Sequence, residues 1–369
     1  MRRGRPRPGV LAGVATVALL ALTACGSDTD GHASAGDGED TLRMSVDENA
    51  FRAEPDIAGV TSMSLNTRFD KVEDSDRARV LAPGVDLRIT GVARLDTLDV
   101  DVYADLGGNA PSVNDEGEPI EEVYPAEGQA FFAVEYSSDD PQWEPRGDIP
   151  DSVASVVING NDVAEVFSTA DGTMQRGTIV ASLPADSAPD AAVLEVETAG
   201  KFQSLSLLNG KRVNSDVEHI YDVVDRRVEI GKAEEFEETF TGWAGGTERI
   251  AGSVVDAFAT PWLDRGNGGD GWAGPGKTYL SVEVDWVDIS GADDDESTVH
   301  LELDNGKTVQ PDNDPSSLVN AFDDNAVFQI PATTQHVTVV VTPQVKVGAG
   351  SGAKVHKWDP VKAELTIAK

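Results

Sequence analysis

Gly128-Gln129-Ala130-Phe131-Phe132-Ala133-Val134-Glu135 and Gly276-Lys277-Thr278-Tyr279-Leu280-Ser281-Val282-Glu283 share one layout. A turn glycine leads into an apolar run with an aromatic residue, then a valine, then a glutamate at matching positions. A short apolar run that is bounded by turn residues and rich in aromatic and β-branched side chains reads as a strand. Its recurrence points to an internal duplication. Arg88-Ile89-Thr90-Gly91 answers Arg249-Ile250-Ala251-Gly252, and Asn159-Gly160 answers Asn305-Gly306. Leu183-Pro184-Ala185 answers Ile330-Pro331-Ala332, and Val193 to Thr198 answers Val337 to Thr342. All five blocks keep their order, with loop-sized changes in spacing.

Working outward, the first copy contains strands over 130–136, 153–158, 178–183, 193–198 and 202–208. The second contains them over 278–286, 299–303, 326–330, 336–342 and 363–367. Asn-Gly between apolar runs signals a type I′ hairpin, because both residues tolerate positive φ. Proline ends the Leu183 and Ile330 strands, since it cannot donate to a ladder. Each copy therefore has enough antiparallel strands for a two-sheet sandwich. The expected fold class is all-β, with one module over 42–210 and a second over 246–369. The segment 211–245 connects them. Within it, Val217, Ile220, Tyr221 and Val224 fit a helical face, while Val228 and Ile230 alternate like a strand.

The N-terminal 24 residues have a different character. Arg2, Arg3, Arg5 and Arg7 precede an apolar stretch from Val10 to Leu22, which is too short to span a bilayer as a helix and suits a signal peptide. It ends in Leu22-Thr23-Ala24-Cys25 and resembles the lipobox of bacterial lipoprotein precursors. That resemblance implies cleavage after residue 24, diacylglyceryl attachment to the Cys25 thiol, and a place on the outer face of the cell membrane. Cys25 is the chain's single cysteine, which excludes internal disulfides and cysteine-based metal clusters. Residues 25–41 then read as the lipidated cysteine and a disordered acidic tether, with no large apolar side chain to bury.

The duplicated unit resembles the immunoglobulin-like domains of unknown function in Gram-positive surface lipoproteins. Those carry a Gly-x-x-Phe/Tyr-x-x-Val-x-Val strand, a hairpin, and a late apolar-Pro strand followed by a Val-rich one. Residues 80–210 and 245–369 carry this likeness, without the paired cysteines of immunoglobulin domains proper. The resemblance implies two tandem immunoglobulin-like sandwiches and brings no catalytic residues.

Composition narrows the function. The 369 residues hold 65 Asp plus Glu against 29 Lys plus Arg, a formal charge of -36, which excludes nucleic-acid binding and basic-patch membrane binding. Gly266-Asn267-Gly268-Gly269-Asp270-Gly271 and Gly271 to Thr278 match two phosphate-binding patterns. A nucleotide cradle needs a helix after the lysine, however, and Tyr279 to Val284 alternates like a strand. No nucleotide and no cofactor is expected. Asp293-Asp294-Asp295-Glu296, Asp312-Asn313-Asp314, Asp323-Asp324-Asn325 and the Asp264 and Asp270 pair lack EF-hand spacing and read as solvated loops. The five histidines show no paired spacing and read as ordinary positions.

Tryptophan is the remaining asymmetry, with Trp243, Trp262, Trp272, Trp286 and Trp358 all in the second half. Trp286 falls in a strand and reads as packing. Trp262 and Trp272 flank the Gly-rich loop and form the candidate recognition loop, suited to an envelope protein or a glycan. The expectation is a non-enzymatic, lipid-anchored binding or scaffold protein. The alternatives are a calcium-dependent adhesion module and a solute-binding lipoprotein of a transporter, the latter disfavoured by the scarcity of helices.

Overall fold

Strand alternation governs the computed structural model, which describes residues 50–139, 148–171, 176–224, 226–264, 269–289, 294–312, 325–348 and 350–368. The side chains of 286–289, 294–295 and 350 also lie outside the description. So do residues 1–49, which include the expected signal peptide 1–24, Cys25 and the expected tether 25–41. The fold is all-β, 57% strand and 7% helical.

The first sandwich uses β1 (Ala58–Thr61), β2 (Arg79–Ala82), β3 (Val85–Leu95), β4 (Gln129–Asp139) and β5 (Ser152–Ile158). It continues with β6 (Asn161–Ser168), β7 (Arg176–Pro184), β8 (Ala192–Thr198), β9 (Lys201–Ser206) and β10 (Arg212–Ser215). One sheet runs β1-β7-β4-β3, with β2 also paired to β3; the other runs β10-β9-β8-β5-β6. Every second residue of the facing strands enters a common core: Val85, Leu87 and Ile89 meet Ala154, Val156 and Ile158, and Ala192, Leu194 and Val196.

The second sandwich repeats this order. Its strands are β11 (Arg227–Ala233), β12 (Phe236–Thr241), β13 (Thr247–Thr260), β14 (Lys277–Ile289) and β15 (Thr298–Leu303). They continue with β16 (Thr308–Val309), β17 (Ala326–Pro331), β18 (His336–Thr342) and β19 (Val361–Ala368). Sheet β12-β13-β14-β17 faces sheet β11-β19-β18-β15-β16 across a core including Val299, Leu301, Leu303, Val337, Val339 and Val341. Strands β2 to β9 thus map one for one onto β12 to β19. All ten expected strands are present within three residues of their expected limits.

Register confirms three of the five matching blocks. Gln129 faces Pro184 as Lys277 faces Pro331, and Thr198 faces Ser152 as Thr342 faces Thr298. The Arg-Ile-x-Gly block behaves differently. Gly91 faces Glu135, whereas the matching Gly252 faces Trp286, and Glu283 faces Asp256. Two register shifts in β13 account for the slip, and what the motif marks in both copies is a β-bulge. A Cβ at Gly91 would sit 2.8 Å from the Glu135 carboxylate, and one at Gly252 would sit 2.6 Å from the Asp285 carbonyl oxygen.

The turns also divide. Asn159 and Gly160 both have positive φ (51° and 79°), the expected type I′ hairpin. In the second copy only Gly306 does, because Asp304 extends the loop and Leu303 pairs with Lys307 across three residues. The segment expected as a connector, 211–245, is built into both sandwiches. It contains β10, a 3-10 turn over Glu218–Asp222, and then β11 and β12, which pair with β19 and β13. The second sandwich therefore starts at Arg227, not at residue 246.

Each sandwich carries a cover on one outer face, inserted at the same place in the chain order. Between β3 and β4, helix α1 (Val100–Asp105) and its flanks lay Leu98, Val102 and Tyr103 over Phe131, Ala133 and Val180. That second buried face explains why Ala130 to Val134 is apolar without alternation. Between β13 and β14, the shorter cover lays Leu263 and Ala273 over Tyr279 and Val327. Among the described residues, no helix is long and apolar enough to cross a membrane.

Candidate functional site

The second cover is a miniature ribbon in which Trp262–Leu263 pairs antiparallel with Gly271–Trp272. Pairing sets Trp262 directly opposite Trp272, their rings 5.4 Å apart and edge to face at 79°. That geometry puts the positive edge of one indole on the negative face of the other. Gly271 has φ +90°, and a Cβ there would come within 3.2 Å of the Trp262 ring. Only glycine suits the position.

The two tryptophans have different surroundings. Trp262 is 6% exposed, and its indole N–H has no hydrogen-bond partner among the described residues. Trp272 is half-buried and reaches across to the first sandwich, packing on its core and on the Leu81, Val217, Ile220 and Tyr221 cluster. Its Nε1 donates to the Thr198 carbonyl oxygen at 3.2 Å. The candidate recognition loop is, in its described part, a joint between the two sandwiches. Residues 265–268 lie outside the description.

Opposite the ribbon stands the β8–β9 turn of the first sandwich. Ala199 and Gly200 both have positive φ (49° and 75°), so alanine occupies a conformation that ordinarily belongs to glycine or asparagine. Together the turn and ribbon enclose an open cleft of about 400 Å³, lined by Ala199, Lys201, Trp262, Asp264, Asp270, Gly271 and Trp272. Asp264 is fixed where it stands: its carbonyl accepts from the Gly269 N–H, and its carboxylate accepts from the Asp148 N–H at 3.2 Å. The Asp270 N–H donates to the Tyr279 hydroxyl at 3.2 Å, while its side chain and that of Lys201 are exposed.

The lining carries, among the described residues, two carboxylates, one ammonium, backbone amides and an indole surface. It can accept and donate hydrogen bonds and offer an apolar plane. Among the described residues, no three or more His, Cys, Asp or Glu side chains are grouped to hold a metal ion. The phosphate-type glycine pattern also takes its structural context: Gly276 is a turn (φ +68°), and Lys277 opens strand β14 instead of a helix.

Trp262 and Trp272 are the two cleft residues identified from sequence, together with the Asp264 and Asp270 pair noted as acidic. Lys201 and Ala199 come from the other module and carry no motif. The Ala-Gly turn alone could have drawn attention to them. Trp358 packs against the second core beside Phe240, and Trp243 is 74% exposed on the β12–β13 hairpin, away from the ribbon pairing. No family model, curated protein or solved structure matches the chain.

Proposed function

We propose that the chain is a lipid-anchored, extracytoplasmic lipoprotein acting as a non-enzymatic binding or scaffold protein at the cell envelope. The observation that carries this reading is Leu22-Thr23-Ala24-Cys25, placed directly behind four arginines and an apolar stretch and holding the chain's single cysteine. A thiol is the nucleophile that diacylglyceryl transfer needs, and two small residues before it suit a protease cleft. Two acyl chains give stable anchoring, at about 0.8 kcal/mol per buried methylene, so the acidic chain does not depend on attraction to lipid head groups.

We read both sandwiches as immunoglobulin-like. Support comes from the paired antiparallel sheets, the repeated strand order and the position of the Gly-x-x-aromatic strands β4 and β14 at the middle of their sheets. Binding is supported by the cleft at the joint of the modules, where ligand sites are preferentially found. The anchor is tested by metabolic labelling with an alkyne fatty acid in a bacterial host. Wild-type chain becomes labelled and fractionates with the membrane; Cys25→Ser is unlabelled and released. Labelling that persists in Cys25→Ser removes the reading.

A further inference from the structure

We propose that His219 makes the joint between the two sandwiches acid-sensitive: the joint holds while the imidazole is neutral and loosens when it takes a proton. The ring stands on the 3-10 turn Glu218–Asp222, the last element before β11 opens the second sandwich.

This turn is the floor of the joint. Val217 at its start, with Ile220 and Tyr221, joins Leu81 in a buried cluster, and Trp272 packs on that cluster from the second sandwich. The same indole donates to the Thr198 carbonyl at the end of β8. Just after the turn, Arg226 Nε donates to the Asp222 carbonyl at 3.2 Å. Its Nη1 donates at 2.8 Å to the Thr334 carbonyl, between β17 and β18 of the second sandwich. On the other side the turn is tied to β9: the Asp216 N–H donates to the Phe202 carbonyl, and the Phe202 N–H donates to Asp216 Oδ2. Both fastenings across the joint therefore depend on how this turn is packed.

Within the turn, His219 Nε2 is sealed from solvent and has no hydrogen-bond partner among the described residues. A neutral imidazole needs a proton on only one ring nitrogen, whereas an imidazolium carries one on both. Protonation therefore adds a positive charge to a ring whose buried nitrogen has no acceptor, which costs free energy until the site opens to water. Few charges offset this. Asp222 of the same turn favours the charged form, and Lys201 of β9 opposes it. Glu218 is committed to the Arg212 guanidinium of β10 at 2.7 Å, and Arg212 itself lies over Tyr221. From the ribbon and from β2, the side chains packed on the turn are the uncharged Trp272 and Leu81. Burial, against the pull of Asp222 and with the help of Lys201, holds the imidazole below its ordinary value. A ring released from the joint regains that ordinary value, about 6.5. The loosened form thus binds more protons once pH falls below about 6.5, and the joint weakens from there down to the lowered value. Above about 6.5 both forms are neutral and the joint keeps its full stability.

The test measures hydrogen exchange of the full chain at about pH 7.5 and about pH 5.5, either side of the ordinary histidine value and corrected for the intrinsic pH dependence of exchange. In the wild type, the backbone amides of 217–224 and the Trp272 indole N–H are expected to lose protection on acidification, while strands β5 and β15 keep theirs. His219→Gln has a polar side chain that takes no proton, so its joint should stay equally protected at both pH values. Equal protection of the wild-type joint at both pH values overturns the inference. So does an equal loss in His219→Gln, which would assign the acid response to other groups. NMR titration of the wild-type His219 ring decides the matter even where the variant folds poorly: its midpoint should lie below about 6.5, and a midpoint at or above that value overturns the inference. His300, His336 and His356 belong to the second sandwich and are unchanged in the variant, so their titration cannot mimic the effect of His219.

Discussion

Tyr221 lies under the Arg212 guanidinium, which stacks 3.5 Å from its ring centroid. Its hydroxyl donates to Gln203 Oε1 at 2.7 Å and accepts from the Leu81 N–H at 3.1 Å, while Gln203 Nε2 donates to the Leu81 carbonyl at 2.6 Å. This closed polar set ties the 3-10 turn Glu218–Asp222 to strands β2 and β9. Burial pushes the phenol up to about 12, since an ionised oxygen would lose its water there. The unfolded phenol releases its proton near 10, so the folded form binds more protons between about 10 and 12. Stability from this group is therefore full below about pH 10 and falls as pH rises toward 12, by about 2–3 kcal/mol. Tyr221→Phe should cost about 1–3 kcal/mol at neutral pH, through an unpaired Leu81 N–H, and should flatten the alkaline fall. Thermal melts of both proteins from pH 8 upward measure this, and equal alkaline slopes would contradict it. Sequence reading identified the apolar stripe of Val217, Ile220, Tyr221 and Val224 but not the network. Patterning reveals which side chains are buried, whereas this hydroxyl's partners come from two other strands, one of them 140 residues away.

Turns show the same division at the scale of elements. Asn159-Gly160 and Asn209-Gly210 carry the same dipeptide, yet only the first is a type I′ hairpin with both φ positive. Gly210 closes a longer turn, in which the Lys211 N–H donates to Asn209 Oδ1, and it presses on the first sandwich. A Cβ there would lie 2.8 Å from Val72 Cγ2 and 3.0 Å from Ile89 Cγ2, and Ile89 belongs to the core. Gly200, with φ +75°, has open space around it. Gly200→Ala should therefore cost about 1–2 kcal/mol from backbone conformation alone. Gly210→Ala should cost about 1–3 kcal/mol more, from overpacking. Urea midpoints of the two variants test the ordering, and equal losses would show that the core yields freely to the added methyl. All ten expected strands are present because alternation, or a short apolar run between turn residues, is written locally, residue by residue. Strand β13 was harder to read, because its two bulges break the period that makes a strand visible.

Duplication explains the whole molecule only in part. The two copies share strand order, but the connection that holds helix α1 in the first has become the Trp262–Trp272 ribbon in the second, which packs across onto the first. Repetition made the shared strands legible and hid this cover, because an insertion has no counterpart to align with. Charge is the other property of the chain as a whole. With 65 acids against 29 bases, the folded state crowds like charges together, and this self-repulsion is screened by salt over about 10 Å at 0.1 M. Stability should therefore rise with ionic strength. Each 1 kcal/mol recovered should lift Tm by about 2–4 °C. If the acidic loops are solvated surface, magnesium and calcium at equal concentration should raise Tm equally. A large rise with calcium that magnesium does not reproduce would instead mean that one of those loops gathers the six to eight oxygens calcium takes. Scanning calorimetry of the metal-free chain in sodium, magnesium and calcium chlorides separates diffuse screening from a built cation site.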